Sequence, residues 1–476
     1  MLFNSLAFAV FLPAVFLLYW LTPPKRRWLV LLLSSYYFYM SWNVRYVVLI
    51  LLTTAVSYGC ALLIERDRAH KKPWLVLSLL VCLGVLFFFK YFNFVSESVA
   101  ALLRRFGLPL SPLTLRLALP VGISFYTFQT LSYVIDVYRG GVRAERHFGR
   151  YAAFVSFFPQ LVAGPIERTE NLLPQINRPP AFDYEQAARG MLLMAWGFFK
   201  KTVVADNLAV TADLVYDDVY AFGGFALILA TLCFTVQIYC DFSGYSDIAR
   251  GAARLFGVEL MRNFRSPYLS ASLREFWSRW HISLSTWFRD YVYIPLGGSR
   301  VSRPRAEANL MLTFLASGLW HGASWSFVIW GAVHGAAQVL ERRLGLHRPP
   351  EKRPVRVLRA FAVFLFSAFA WVFFRAQTLS EAVYVLTHCF CGIGQPLSYL
   401  REGFLAVQVG KGKLAEYLLV FLLPLFLVDR AALKTDVIAW VRERPFALRH
   451  LISCALLLAI LLFHAGGEVA FVYFQF

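Results

Sequence analysis

Apolar residues in this chain do not recur at the one-in-three or alternating spacing of a water-soluble protein; they come in long runs broken by short polar gaps. The runs fall at about 5 to 22, 28 to 40, 46 to 64, 74 to 89, 119 to 137, 190 to 208, 222 to 240, 308 to 341, 357 to 374, 414 to 428 and 449 to 464. About 20 helical residues cross the hydrocarbon core of a bilayer. The pattern therefore predicts an all-α polytopic membrane protein with about eleven spans. No soluble domain, low-complexity tract or internal repeat stands out, so residues 1 to 476 read as one membrane domain. The first run has no charged start and no small-residue cleavage site, which predicts a retained helix rather than a signal peptide.

Composition sharpens this picture. Hydrophobic residues make up 59% of the chain and aromatics 17%, with a mean hydropathy of +0.57; ordinary globular domains use about 45–50% apolar residues. The formal charge of +19 would suit nucleic acid if it lay on one soluble face. Instead the Lys and Arg residues occupy the gaps, at Lys25-Arg26-Arg27, Arg66 to Lys72 and Arg139 to Arg150. The positive-inside rule accounts for them, so no nucleic acid partner is expected and membrane lipid is. Alternation puts the N-terminus outside and Arg250 to Arg305, Glu341 to Arg359 and Asp429 to Arg449 in the cytoplasm. The basic gap from Lys90 to Arg116 breaks the alternation. Seven Cys residues, most of them in apolar runs, lack metal-ligand spacing and read as buried small hydrophobes; no metal is expected. Cys389 and Cys391 flank one Phe, too close for an ordinary disulfide.

Polar residues concentrate between about 139 and 335, where the runs are shortened by Pro, Gly and charge. Non-helical backbone at membrane depth persists only where protein or a water-filled cavity surrounds it, so a cavity is expected here. The stretch Phe157 to Arg168 is too short to span and reads as re-entrant or interfacial. Asp241-Phe242-Ser243-Gly244-Tyr245-Ser246-Asp247 places two carboxylates six apart, with Gly244 permitting a turn; Asp241 either serves a site or caps a helix that starts at Ser243 or Tyr245. From Arg274 to Tyr291, residues Trp277, Trp280, His281, Leu284 and Phe288 share one helical face, and Glu275 pairs with Arg279 at i, i+4. This predicts one amphipathic interfacial helix with Trp277 and Trp280 at the headgroups, Arg274 and Arg279 toward anionic lipid, and His281 pointing inward.

Ionisable groups at membrane depth are costly and tend to be functional. His321 interrupts an apolar run within Ser317-Gly318-Leu319-Trp320-His321-Gly322, where Gly318 and Gly322 form a small-xxx-small pair. One reading is a histidine hydrogen-bonded across helices; the other is a neutral general base in a dry site. Ser317, one turn earlier, is a nucleophile only if His321 activates it, and a hydroxyl there more often bonds its own helix. His334 reads as structural.

These residues resemble the membrane-bound O-acyltransferase family, and within it the bacterial branch that O-acetylates exported polysaccharides. The resemblance runs over nearly the whole chain: Phe89-Lys90-Tyr91-Phe92-Asn93-Phe94, Pro120 to Tyr126, Ala163-Gly164-Pro165, Asp241 to Asp247, Arg279 to Ser285, Leu319 to Ala323 and the terminal Tyr473-Phe474-Gln475-Phe476. It implies a multi-helix core around a central funnel or tunnel, with His321 catalytic and His281 the second site residue. It also implies a thioester donor from the cytoplasm, most simply acetyl-CoA, with no tightly bound cofactor. Arg265, Arg274, Arg279 and Arg289 would attract the donor's phosphates at a basic mouth. Asp241, Ser243, Tyr245, Asp247, Trp280 and Trp320 are the remaining expected substrate contacts. The implied location is the bacterial cytoplasmic (inner) membrane. The acceptor would be alginate, peptidoglycan or a similar polymer, reached through a separate extracytoplasmic SGNH-type transferase and the polysaccharide machinery. A proton-coupled transporter using His281, His321, Asp241 and Asp247, and a non-enzymatic export scaffold, are the rival readings.

Overall fold

Helix Phe446–Phe463 buries none of its side chains, and Leu451, Leu457, Leu458, Leu461 and Leu462 all stand exposed along it. A helix apolar on every side belongs in lipid. A computed structural model of the protein describes residues 1–108, 110–348, 350–466 and 471–472, and every regular element among them is helical. The expected terminal motif from Tyr473 to Phe476 lies outside the described residues.

Five helices are long and apolar enough to span: Val44–Arg66, Lys71–Arg105, Phe225–Leu255, Arg353–Arg375 and Phe446–Phe463. The other expected runs fold differently. Those at 5 to 22, 28 to 40 and 119 to 137 form helices of 16, 14 and 17 residues. Those at 190 to 208 and 414 to 428 carry π-helical turns at Phe199–Ala205 and Tyr417–Leu422. The run at 308 to 341 is not one span but two helices, Arg303–His321 and Trp325–Arg343.

The chain divides into two compact units. The first comprises residues 1–191 and 249–261. In it, Lys71–Arg105 is one helix with a π-turn at Phe87–Tyr91. Lys90 therefore sits inside a helix, not in the gap whose charge breaks the topology alternation; that gap starts after Arg105. At 1.5 Å per residue, 35 residues reach about 52 Å, longer than the hydrocarbon core. The stretch Phe157 to Glu167 is wholly buried and largely irregular, with a single helical turn at Phe158–Leu161. Irregular backbone wrapped in protein is what a re-entrant segment requires.

The second unit comprises residues 192–248 and 262–476 and contains both histidines. Helix Phe225–Leu255 continues straight through the Asp241 to Asp247 stretch, so Gly244 makes no turn and Asp241 caps nothing. Gly244 is instead a crossing point: a Cβ there would sit 2.8 Å from the Gly197 carbonyl oxygen and 3.0 Å from the Lys201 nitrogen. Helices Arg303–His321 and Trp325–Arg343 form an antiparallel hairpin. A Cβ on Gly318 would collide with the Phe327 carbonyl, and one on Gly331 with the Phe314 carbonyl. Gly322 lies past the helix end rather than on its packing face, and a side chain there would run into the Phe327 ring.

Candidate active site

His321 is the last residue of its helix, where the chain turns out into extended Gly322 before the hairpin returns. Its ring is 3% exposed and is walled by Trp320 at 5.0 Å, Trp330 at 5.1 Å and Phe374 at 5.4 Å between centroids. No lipid-facing side chain is needed to enclose it. Phe374 comes from helix Arg353–Arg375 and Trp330 from the returning arm of the hairpin, so three helices fix this one imidazole.

His281 is reached by a different route from the one its spacing suggests. The expected continuous helix over 274 to 291 is broken into Leu273–Trp277 and Ile282–Phe288, with a π-turn following at Arg289–Tyr293. His281 stands at the break in a left-handed conformation, φ 42° and ψ 55°. A non-glycine residue there is uncommon and locally strained. Ser272 caps the first short helix by accepting from the Glu275 nitrogen, while Glu275 accepts from the Ala271 nitrogen at 2.7 Å. Glu275 also pairs with Arg279, as the i, i+4 spacing predicts.

The five residues of the expected apolar face are all buried, but in protein rather than at headgroups. Trp280 stacks on Phe276 at 5.5 Å and packs against Trp371 at 4.9 Å. Trp277 donates from Nε1 to His334 Nδ1 at 3.4 Å. His334, which accepts this bond, is fully buried. His281 is 0% exposed, with Phe242 edge-on at 4.6 Å and Trp320 at 5.9 Å. Burial pulls its pKa down to about 3, so the ring is neutral at physiological pH.

The two imidazole centroids are 6.4 Å apart and tilted by 59°. Even with a nitrogen of each ring turned toward the other, the gap exceeds the roughly 3 Å between donor and acceptor in a hydrogen bond. It is close enough for both rings to address one small group.

Beside them lies a cavity of about 660 Å³ whose wall includes Arg274, Arg289, Arg342, Glu341, Trp277, Thr313, Phe314 and Ser317. Neither histidine is itself in the wall. Ile282 and Ser317 are, one residue after His281 and one helical turn before His321. Glu341 accepts from the Leu273 and Arg274 nitrogens at 2.6 and 3.1 Å and so ties the short helix to the hairpin. Three arginines against the one carboxylate in the wall make it basic, with Arg289 also paired to Asp290 at 2.7 Å. Of the four arginines expected at the mouth, Arg274 and Arg289 line the cavity; Arg279 and Arg265 do not. Arg279 is turned to Glu275, and the Arg265 nitrogen donates to the Arg279 carbonyl at 3.0 Å. Arg342 and Gln338 were not legible as site residues because only the hairpin brings them level with residue 274.

Asp241, Ser243, Tyr245 and Asp247 line no part of this cavity. Lys201 lies 2.7 Å from Asp241 and 2.8 Å from Asp206, and Lys200 lies 2.7 Å from Asp247 and 2.9 Å from Ser243. Asp241 also accepts from the Val472 nitrogen at 2.7 Å, and Tyr245 packs on Phe471 at 5.0 Å. The stretch meets His281 through the Phe242 ring.

Together these features define a multi-pass, all-α membrane protein with a buried histidine pair next to a basic cavity. The model of the MBOAT, membrane-bound O-acyltransferase family matches residues 142–379, half the chain. Similar proteins include a probable alginate O-acetylase from Pseudomonas aeruginosa, 42% identical over 88% of this chain and 81% of its own length. A peptidoglycan O-acetyltransferase from Helicobacter pylori is 36% identical over 81% of this chain and 79% of its own. A teichoic acid D-alanyltransferase from Streptococcus thermophilus is 29% identical over 51% and 65%. The chain belongs to the membrane-bound O-acyltransferase family, and it is an acyltransferase.

Proposed function

We propose that the protein, acting as one domain in the bacterial inner membrane, transfers an acetyl group from cytosolic acetyl-CoA toward an exported polysaccharide such as alginate or peptidoglycan. The observation that carries this reading is the buried His281–His321 pair beside a cavity walled by Arg274, Arg289 and Arg342. Guanidinium groups hold phosphate oxygens by charge-assisted hydrogen bonds, so these three suit the diphosphate and the ribose phosphate of coenzyme A.

His321 takes the proton of an acceptor hydroxyl as its oxygen attacks the thioester carbonyl. The carbon–sulfur bond then breaks, and the coenzyme A thiolate leaves with the proton that His321 returns. His281, neutral and fixed, donates toward the oxygen on which negative charge develops. The acceptor is the polymer itself or the hydroxyl of a separate extracytoplasmic SGNH-type transferase that passes the group on. The relatives named for alginate and peptidoglycan acetylation support a polysaccharide context.

The test is transfer of labelled acetyl from acetyl-CoA by purified full-length protein and its His321→Ala variant. General-base loss should lower the rate by about 10²–10⁴-fold with the fold intact. Undiminished transfer in the variant removes His321 from the mechanism. No turnover of acetyl-CoA by the wild type overturns acetyl-CoA as the donor.

A further inference from the structure

The strained turn at His281 is held from outside its own helix, by Asn263. The Ile282 nitrogen donates to the Asn263 backbone carbonyl at 2.9 Å, and the Ser283 nitrogen donates to Asn263 Oδ1 at 3.3 Å. Those are two of the N–H groups that a helix starting at Ile282 leaves without an intrahelical acceptor. On the other side of the break, the Arg265 nitrogen donates to the Arg279 carbonyl. The segments 263–265 and 279–283 thus bracket His281 before and after. Asn263 does not float: its Nδ2 donates to Ser246 Oγ at 3.2 Å, on helix Phe225–Leu255. Asn263 and Ser246 are each 1% exposed.

We infer that Asn263 is a positioning residue for His281, a role that rests on the acyl-transfer reading above. A left-handed non-glycine residue persists only where its surroundings over-determine it. Here the residue that over-determines it uses three separate groups, a backbone carbonyl, a side-chain oxygen and a side-chain amide. One end of the clamp is the helix that carries Phe242, whose ring meets the His281 imidazole. Asn263 therefore sets both the backbone turn and the height of the ring above its neighbour. Loss of the clamp lets the strained turn relax locally, which shifts the imidazole off His321.

The test uses full-length protein in detergent or nanodiscs, with labelled acetyl-CoA as donor and amide exchange over residues 279–288 as a second readout. In Asn263→Ala, kcat should fall by about 100-fold, the cost of displacing a reacting group by roughly 1 Å. The KM for acetyl-CoA should stay within about twofold, because the basic cavity is untouched. Exchange at Ile282 and Ser283 should quicken. Asn263→Asp should recover most of both losses: its carboxylate still accepts from Ser283, and the Ser246 hydroxyl can rotate to donate. If Asn263→Ala does not fold, Ser246→Ala, which frees only the amide, should give a smaller loss of kcat and faster exchange at Ser283. Wild-type kcat in Asn263→Ala, unchanged exchange, or parallel loss of kcat and KM without recovery in Asn263→Asp overturns the inference. If the wild type transfers no acetyl group, the acyl-transfer reading fails instead, and the exchange arm alone decides whether Asn263 clamps the turn.

Discussion

The imidazoles of His281 and His321, forty residues apart in the chain, lie 6.4 Å apart across the second unit, one at a broken helix and the other at a helix end. Each sits where regular backbone stops. Backbone conformation is therefore part of the site, and the first prediction addresses it. His281→Asn should fold normally, since Asn is among the few side chains that tolerate the left-handed region. His281→Val should lower stability by about 1–3 kcal/mol, because a β-branched residue resists it. Thermal unfolding of the two variants in detergent separates this backbone effect from loss of the ring, which both share.

The hairpin that delivers His321 depends on Gly318. Its α-carbon faces the carbonyl of Phe327 on the returning helix, with no room for a methyl group. Gly318→Ala should push the helices apart, cost about 1–3 kcal/mol and reduce acetyl transfer in step. Gly84, around which there is open space, should accept Ala without loss. A tolerant Gly318 would show that the hairpin has slack.

Much of this was legible from sequence where one physical rule dominated. The exposed leucines of 446–463 could only face lipid, and His281 and His321 stood out as polar groups where polarity is costly. The failures share a cause. Trp277, Trp280, His281, Leu284 and Phe288 fit one helical face so well that nothing local announces the break at 278–281; it comes from Asn263 and Arg265, in a loop without periodicity. Likewise, the pattern of 308 to 341 shows an apolar stretch but not its fold-back, which hides Arg342 from any reading of the site.

Arg342 yields a prediction that separates donor binding from chemistry. It lines the cavity with Arg274 and Arg289 but lies on the opposite arm of the hairpin from His321. Arg342→Ala should raise the KM for acetyl-CoA by about tenfold, the worth of roughly one charge-assisted hydrogen bond, and leave kcat nearly unchanged. The KM of the wild type should rise with ionic strength more steeply than that of the variant. A fall in kcat at constant KM would move Arg342 out of the donor site.

Lys201 is buried between Asp206 and Asp241, at 2.8 and 2.7 Å. Removing one partner of a buried pair strands the charge that remains, at a cost of about 3–5 kcal/mol. Lys201→Met should therefore destabilise far more than its change in volume implies. Adding Asp241→Asn to it should restore part of the loss, since one stranded carboxylate disappears. Melting temperatures of the single and double variants form the cycle. Strict additivity would mean that the two groups do not interact.

Glu167, in the first unit, gives the protein a pH dependence of predictable sign. Its carboxylate is fully buried, accepting from the Met261 nitrogen at 2.6 Å and from Asn171 Nδ2 at 2.6 Å. Those bonds, with Arg250 and Arg168 nearby, favour the charged form, but burial outweighs them and lifts the pKa from its ordinary 4.5 to about 7. Below pH 4.5 the group is protonated folded or unfolded, and the native state keeps its full margin. Between 4.5 and 7 only the folded chain holds the proton, so stability declines as pH rises through that window. Above 7 the margin is lost, on the order of 3 kcal/mol at 1.36 kcal/mol per unit. Glu167→Gln stays neutral throughout, its amide oxygen still able to accept from Met261 while Asn171 turns its own oxygen inward. Between pH 5 and pH 8 the wild-type melting temperature should therefore fall more than that of Glu167→Gln, and parallel curves would mean that the buried carboxyl keeps its solution pKa.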